Sequence, residues 1–101
     1  MNRFSLATPE QVGQELADRA KALRLAQGWK RSTLAERSGV SLGSLRRFEE
    51  SGRISLENLL ALAFALYRLD DFSSLLKLPP ASSIAEMERA EKRPERKRGR
   101  L

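Results

Sequence analysis

Residues 29–52 constrain this chain more than any other stretch, because two short amphipathic segments there flank the linker Ser38-Gly39-Val40-Ser41. Arg31–Ser38 carries Leu34 and Ala35 as its apolar face, and the segment after Ser41 carries Leu45 and Phe48 at helical spacing. Gly39 supplies the positive φ that so tight a turn requires. Ala35 is small enough to let the two helices cross closely, and Val40 with Leu45 forms a wedge beneath the turn. Ser41 is a good N-cap for the second helix, which stops near Ser51 and Gly52.

Two helices joined in this way form the helix-turn-helix layout. The second helix, residues 41–50, then presents Leu42, Gly43, Ser44, Arg46 and Arg47 outward. A helix of this kind fits the DNA major groove, where arginine is the commonest reader of guanine O6 and N7.

The flanking sequence predicts more helices and no strand of useful length. Thr8, Pro9 and Gln11 make a capping box with proline at the first helical position, and Val12, Leu16, Ala20 and Leu23 repeat at three- and four-residue steps. The first helix is therefore expected over residues 9–27, with Gly28 as its stop. Ser55 caps a helix over residues 56–68 that is apolar on nearly every side, with Asn58 where Glu or Gln would close the box more strongly. Asp70 or Asp71 starts a short helix carrying Phe72, Leu75, Leu76 and Leu78, ended by Pro79 and Pro80. Ser82 or Ser83 starts another through Ile84 and Met87. Phe4 and Leu6 alternate with polar neighbours, which suggests an extended N-terminal arm.

Composition narrows the chemistry. With neither cysteine nor histidine among 101 residues, there is no disulfide, no thiolate or imidazole metal site, and no triad built on Cys or His. No catalytic residue, metal or cofactor is expected, and Asp70 with Asp71 reads as a helix start rather than a catalytic pair. The net charge of +6 is concentrated: residues 92–101 hold six basic groups and one acid, so the preceding 91 residues carry 13 basic groups against 12 acidic. Nucleic-acid binding by the body must then rest on where its arginines sit. The tail reads as a solvated end, as accessory phosphate contacts, or as a site for an acidic partner. No signal sequence is visible. The longest apolar run, residues 59–67, is half a membrane span, so a cytoplasmic, nucleoid-associated location without membrane contact is expected.

Residues 12–78, with the run LRLAQGWKRSTLAERSGVSLGSLRRFEESGRISLENLLALAFAL, resemble the Xre/lambda-repressor-like helix-turn-helix family. Leu34, Ala35, Gly39, Val40, Ser41, Leu45, Phe48, Glu49 and Gly52 stand at its positions. The resemblance implies an all-α, five-helix domain at residues 9–80, after an N-terminal arm at residues 1–8 and before a short helix and basic tail at residues 81–101. It also implies a homodimer on a pseudo-palindromic double-stranded DNA operator, and a structural ion pair between Arg24 and Glu49.

On the DNA side, Leu42, Ser44, Arg46 and Arg47 are expected at bases, with Arg47 reaching furthest into the groove. Lys30, Arg31, Ser41 and Arg53 are expected at phosphates. Lys30 and Arg31 depart from the family pattern, which often has a Ser or Thr cap and then Gln. Two cations there oppose the helix dipole, and a phosphate oxygen would offset them. Leu42 and Gly43 depart too, since relatives often carry hydrogen-bonding readers there.

The FSLATP lead, GVSLGSLRRFE and the basic tail look similar to HipB-like antitoxins, which implies an autorepressor of a toxin-antitoxin operon with a HipA-family kinase toxin as partner. No separate toxin-binding motif stands out. Other readings are a stand-alone Xre-type repressor, a helical protein-interaction module that does not read DNA, and an RNA-associated protein acting through its tail. The absence of exposed aromatics suited to base stacking weighs against the last, with Trp29 expected at the junction of the first two helices.

Overall fold

The computed structural model describes Phe4 and residues 6–91, all helix, turn and loop. The basic tail at residues 92–101 lies outside the described residues. The order is α1 (Pro9–Ala26), α2 (Arg31–Ser38), α3 (Leu42–Ser51), α4 (Leu56–Ala65), a 3₁₀ turn (Leu69–Phe72) and α5 (Ala81–Glu91).

Local chemistry sets the first four helices. At α1 the Thr8 hydroxyl accepts from the Gln11 N–H at 3.1 Å, while the Thr8 N–H donates back to the Gln11 side chain at 3.0 Å. Ser41 and Ser55 cap α3 and α4 the same way, accepting from the N–H of Ser44 and of Asn58, each at 3.1 Å. The cap of α2 is Lys30, which offers no side-chain acceptor. Gly39 ends α2 in the left-handed region at φ 80°, as the tight turn requires.

The largest fully buried side chains among the described residues stand at the centre: Phe48, Leu34, Leu45 and Leu62. Ala17, Val40 and Leu66 join them, with Leu16, Ala20, Leu23, Trp29 and Ala35 packed around. The wedge expected beneath the turn is thus in place. Helix α3 meets α1 where Gly52 faces Gly13. A Cβ on Gly52 would stand 2.7 Å from the Gly13 carbonyl carbon, and one on Gly13 would stand 2.9 Å from the Gly52 oxygen. The two backbones touch there, and Gly52 also needs its φ of 79°. This contact fixes the far end of α3 on the first helix.

Three expectations change. Helix α4 ends at Ala65, not at residue 68, because the chain turns left-handed at Tyr67 (φ 63°). No α-helix forms around Phe72, Leu75, Leu76 and Leu78. The chain makes a 3₁₀ turn, held by the Arg68–Asp71 ion pair at 3.0 Å, and Leu75, Leu76 and Leu78 stand in solvent. A segment cut short by Pro79 and Pro80, with the weak helix formers Ser73 and Ser74 in its middle, has too few turns to form without a surface to bury against. The fifth α-helix is therefore the one expected after the prolines. Lastly, the arm turns rather than extends: the Ala7 N–H donates to the Phe4 carbonyl at 3.2 Å, and the Arg19 guanidinium lies 5.1 Å from the Phe4 ring centre.

Candidate nucleic-acid interface

Helix α3 sorts its side chains by period. Leu45, Phe48 and Glu49 point inward and are buried, while Leu42, Gly43, Arg46, Arg47 and Glu50 form the outward stripe. A Cβ on Gly43 would meet nothing within 4 Å, so this part of the stripe is open. Ser41 and Ser44 are joined at 2.9 Å between their hydroxyl oxygens, at the N-terminal end of the stripe.

Glu49 determines how that stripe is presented. Its carboxylate accepts from Arg24 at both oxygens, Nε at 2.8 Å and Nη2 at 3.0 Å. The remaining Arg24 nitrogen, Nη1, donates to the Trp29 carbonyl at 2.9 Å. A third member, not foreseen from the sequence, is Arg31, whose Nε reaches a Glu49 oxygen at 2.8 Å. One carboxylate thereby ties α3 to α1 and to the first turn of α2. Burial pushes the Glu49 carboxyl up, but the hydrogen bonds and charges of Arg24 and Arg31 outweigh it and hold it below the usual carboxylate range. Arg31 is held above its ordinary value, first by that same hydrogen bond, with Glu50 adding a smaller attraction.

The other cations are arranged differently. Lys30, Arg46, Arg47 and Arg53 are exposed, and none has a side-chain hydrogen bond or ion pair among the described residues. Arg47 and Arg53 line a concavity of about 650 Å³ with Ser44, Ser51, Ile54, Ser55 and Asn58, between the outer face of α3 and the start of α4. Ser51 braces it: its hydroxyl donates to the Arg47 carbonyl at 2.7 Å and accepts from the Arg53 N–H at 3.3 Å. Sequence reasoning missed Ser55 and Asn58 as members of this wall. The neutral Asn58 at a position suited to Glu was the available signal.

The expected site residues thus fall into two groups. Leu42, Ser44, Arg46 and Arg47 share one face with Ser41 and, past the helix end, Arg53. Lys30 stands exposed at the uncapped start of α2, and Arg31 beside it is half-buried on Glu49. Trp29 is half-buried at the junction of α1 and α2 as expected, with the Arg37 guanidinium 4.5 Å from its ring centre.

Among the described residues no helix is long and apolar enough to cross a membrane. No curated protein matches the chain. A helix-turn-helix family model matches residues 21–66, from the last turns of α1 through the end of α4, and so spans the turn, the outward stripe and all three members of the Glu49 cluster. Residues 21–66 are thus similar to the helix-turn-helix domains of Xre/lambda-repressor-like proteins, and that likeness supports a DNA-binding transcription regulator.

Proposed function

We propose that the protein is a sequence-specific repressor that binds a pseudo-palindromic operator as a homodimer, with α3 of each copy in the major groove. One observation carries this reading: two arginines without partners among the described residues stand on an otherwise uncluttered helix face, beside a concavity that also holds Arg53, serines and Asn58. Arg47 and Arg46 read bases, with a guanine as the natural partner of each. Leu42 offers only apolar contact, suited to a thymine methyl group, and Ser44 reaches a base edge or a phosphate. Gly43 reads nothing and lets the backbone approach closely.

Phosphates fix the register without reading sequence. Arg53 and the neutral wall formed by Ser55 and Asn58 suit one phosphate. Lys30, Arg31 and the uncapped N–H groups that begin α2 suit another, where the helix dipole adds attraction. Ser41 stands at the equivalent end of α3.

The regulated gene is taken to be the protein's own. The likeness of its lead, recognition helix and tail to HipB-like antitoxins supports an antitoxin role, with a HipA-family kinase as protein partner. Titration on DNA from upstream of its own gene, against a scrambled duplex at about 150 mM salt, tests the DNA reading. A preference of ~1000-fold is the expected result. Binding that is indifferent to sequence and collapses as salt rises would refute it. Co-expression of the neighbouring genes, followed by co-purification, tests the antitoxin role separately.

A further inference from the structure

One helix reads only half of a two-part operator, so the site proposed above is incomplete without a second copy; the inference drawn here rests on that reading and concerns where the copies meet. Leu56, Leu60 and Phe64 lie four residues apart on α4 and make a stripe directed away from the core face of Leu59, Leu62, Ala63 and Leu66. Leu56 is 65% exposed and Phe64 71%, and Leu60 between them is half-buried. Tyr67 follows directly, its N–H bonded to the Phe64 carbonyl at 3.1 Å and its side chain 74% exposed.

The backbone at Tyr67 adds a second, independent observation. Two non-glycine residues hold a positive φ among the described residues, Tyr67 at 63° and Leu76 at 60°. Such positions favour Gly, Asn or Asp, and bulky residues are rare there. Here both carry large apolar side chains, and both side chains stand in solvent. For the isolated domain, an aromatic ring at Tyr67 brings strain and exposure together. Contact with another molecule would offset both.

We propose that this face of α4, extended by Tyr67, is the surface on which a second copy of the chain docks. The stripe is apolar along its middle, with an exposed acid at its start (Glu57) and, past its end, the exposed Arg68, which already holds Asp71 of its own chain and has room for a second carboxylate. Two copies crossing antiparallel about a two-fold axis set apolar against apolar and Glu57 of each near Arg68 of the other. A patch that complements itself in this way suits an isologous pair. Four aromatic rings, at roughly 150–250 Å² each, supply a large share of the ~1,200–2,000 Å² buried in a stable interface. Leu56 and Leu60 add to it.

Sedimentation of the full chain without DNA tests the interface. The wild type is expected to be a dimer, and Phe64→Asp to weaken self-association about thirty-fold or more, the level of an interface hot spot, with helical circular dichroism unchanged. Tyr67→Gly removes a ring and suits the positive φ, so it weakens the dimer while leaving the domain at least as stable. The chain has no cysteine of its own, so Phe64→Cys should give a disulfide-linked dimer on oxidation, and Gln27→Cys, just past the end of α1, should not. A wild type that stays monomeric at about 100 µM, where an interface of this size assembles, overturns the proposal. So does a dimer untouched by both Phe64→Asp and Tyr67→Gly. A dimer through α4 with no operator preference would remove the reading of the DNA site and leave this interface standing. Specific operator binding by a dimer that survives both substitutions would do the reverse.

Discussion

The domain holds two sets of arginines, one on each side of helix α3, opposite in circumstance. Arg24 and Arg31 converge on the buried Glu49, with every contact at 3.0 Å or less. Arg46 and Arg47, three and two residues before that glutamate, face solvent without partners among the described residues. The same side chain serves as a fastener in one set and, on the function proposed above, as a reader in the other. The difference comes from the face of α3 on which Glu49 falls: the helix period sends Glu49 inward with Phe48 and leaves the arginines outside. Fixing the inner set is what makes the outer set useful, because a base contact needs a helix that does not roll.

The largest expected effect breaks the inner set. Glu49→Ala leaves the Arg24 guanidinium buried without its counter-charge, which typically costs about 3–5 kcal/mol. Against a total stability of about 5–15 kcal/mol for a small domain, urea unfolding should show a large drop in midpoint. The acid limb of the wild type gives the sign independently. A carboxyl held below its ordinary value stabilises the fold fully above the unfolded-state pKa near ~4.3. That contribution is lost as pH falls from there through the folded value. The difference in stability between wild type and Glu49→Gln should therefore be constant above about pH 5 and shrink on acidification. A difference that grows on acidification would mean the carboxylate is not the stabilised form.

Next in size is the outer set. Arg47→Ala should leave stability within about 0.5 kcal/mol, since it removes an exposed side chain without a partner. It should also cost about 1–3 kcal/mol of discrimination between the operator and a sequence changed at the contacted base pair. Competition titration with single-base operator variants measures this. Equal loss on every sequence would make Arg47 a phosphate contact and move base reading to Arg46.

How far the sequence foretold these two sets depends on the range of the physics involved. Thr8, Ser41, Ser55, Gly39 and Gly52 act on the backbone within a few residues, so the limits of α1, α2 and α3 and the start of α4 were legible. The outward stripe was legible for the same reason, because Leu45 and Phe48 fix the inner face. Arg31 was read as a cation opposing its helix dipole, since its carboxylate partner is 18 residues away and only packing brings the two together. Residues 70–78 were misread by the converse error. Their leucines have helical spacing, but spacing makes a stable helix only where a surface is available to bury it. The left-handed turns at Tyr67 and Leu76 have no local sequence signal, since neither is a residue that favours them.

Arg31 sits between the two sets, and the smallest effect places it. Each phosphate contact steepens the dependence of log K on log salt by about 0.9, so Arg53→Ala should flatten that slope by nearly one unit without changing stability. Lys30→Ala should do likewise. Arg31→Ala separates two roles in one side chain. As a fastener alone it lowers stability and leaves the slope unchanged, because Glu49 already neutralises it. As a phosphate contact as well, it lowers both. Its Nε faces Glu49, and its side chain is about a third exposed where the Arg24 side chain is nearly buried. That leaves the rest of the guanidinium with donors to spare and no other hydrogen bond among the described residues. A change in both quantities is therefore the expected result. It would link operator binding to the packing of α3, since a phosphate drawing on Arg31 pulls on the carboxylate that positions the readers.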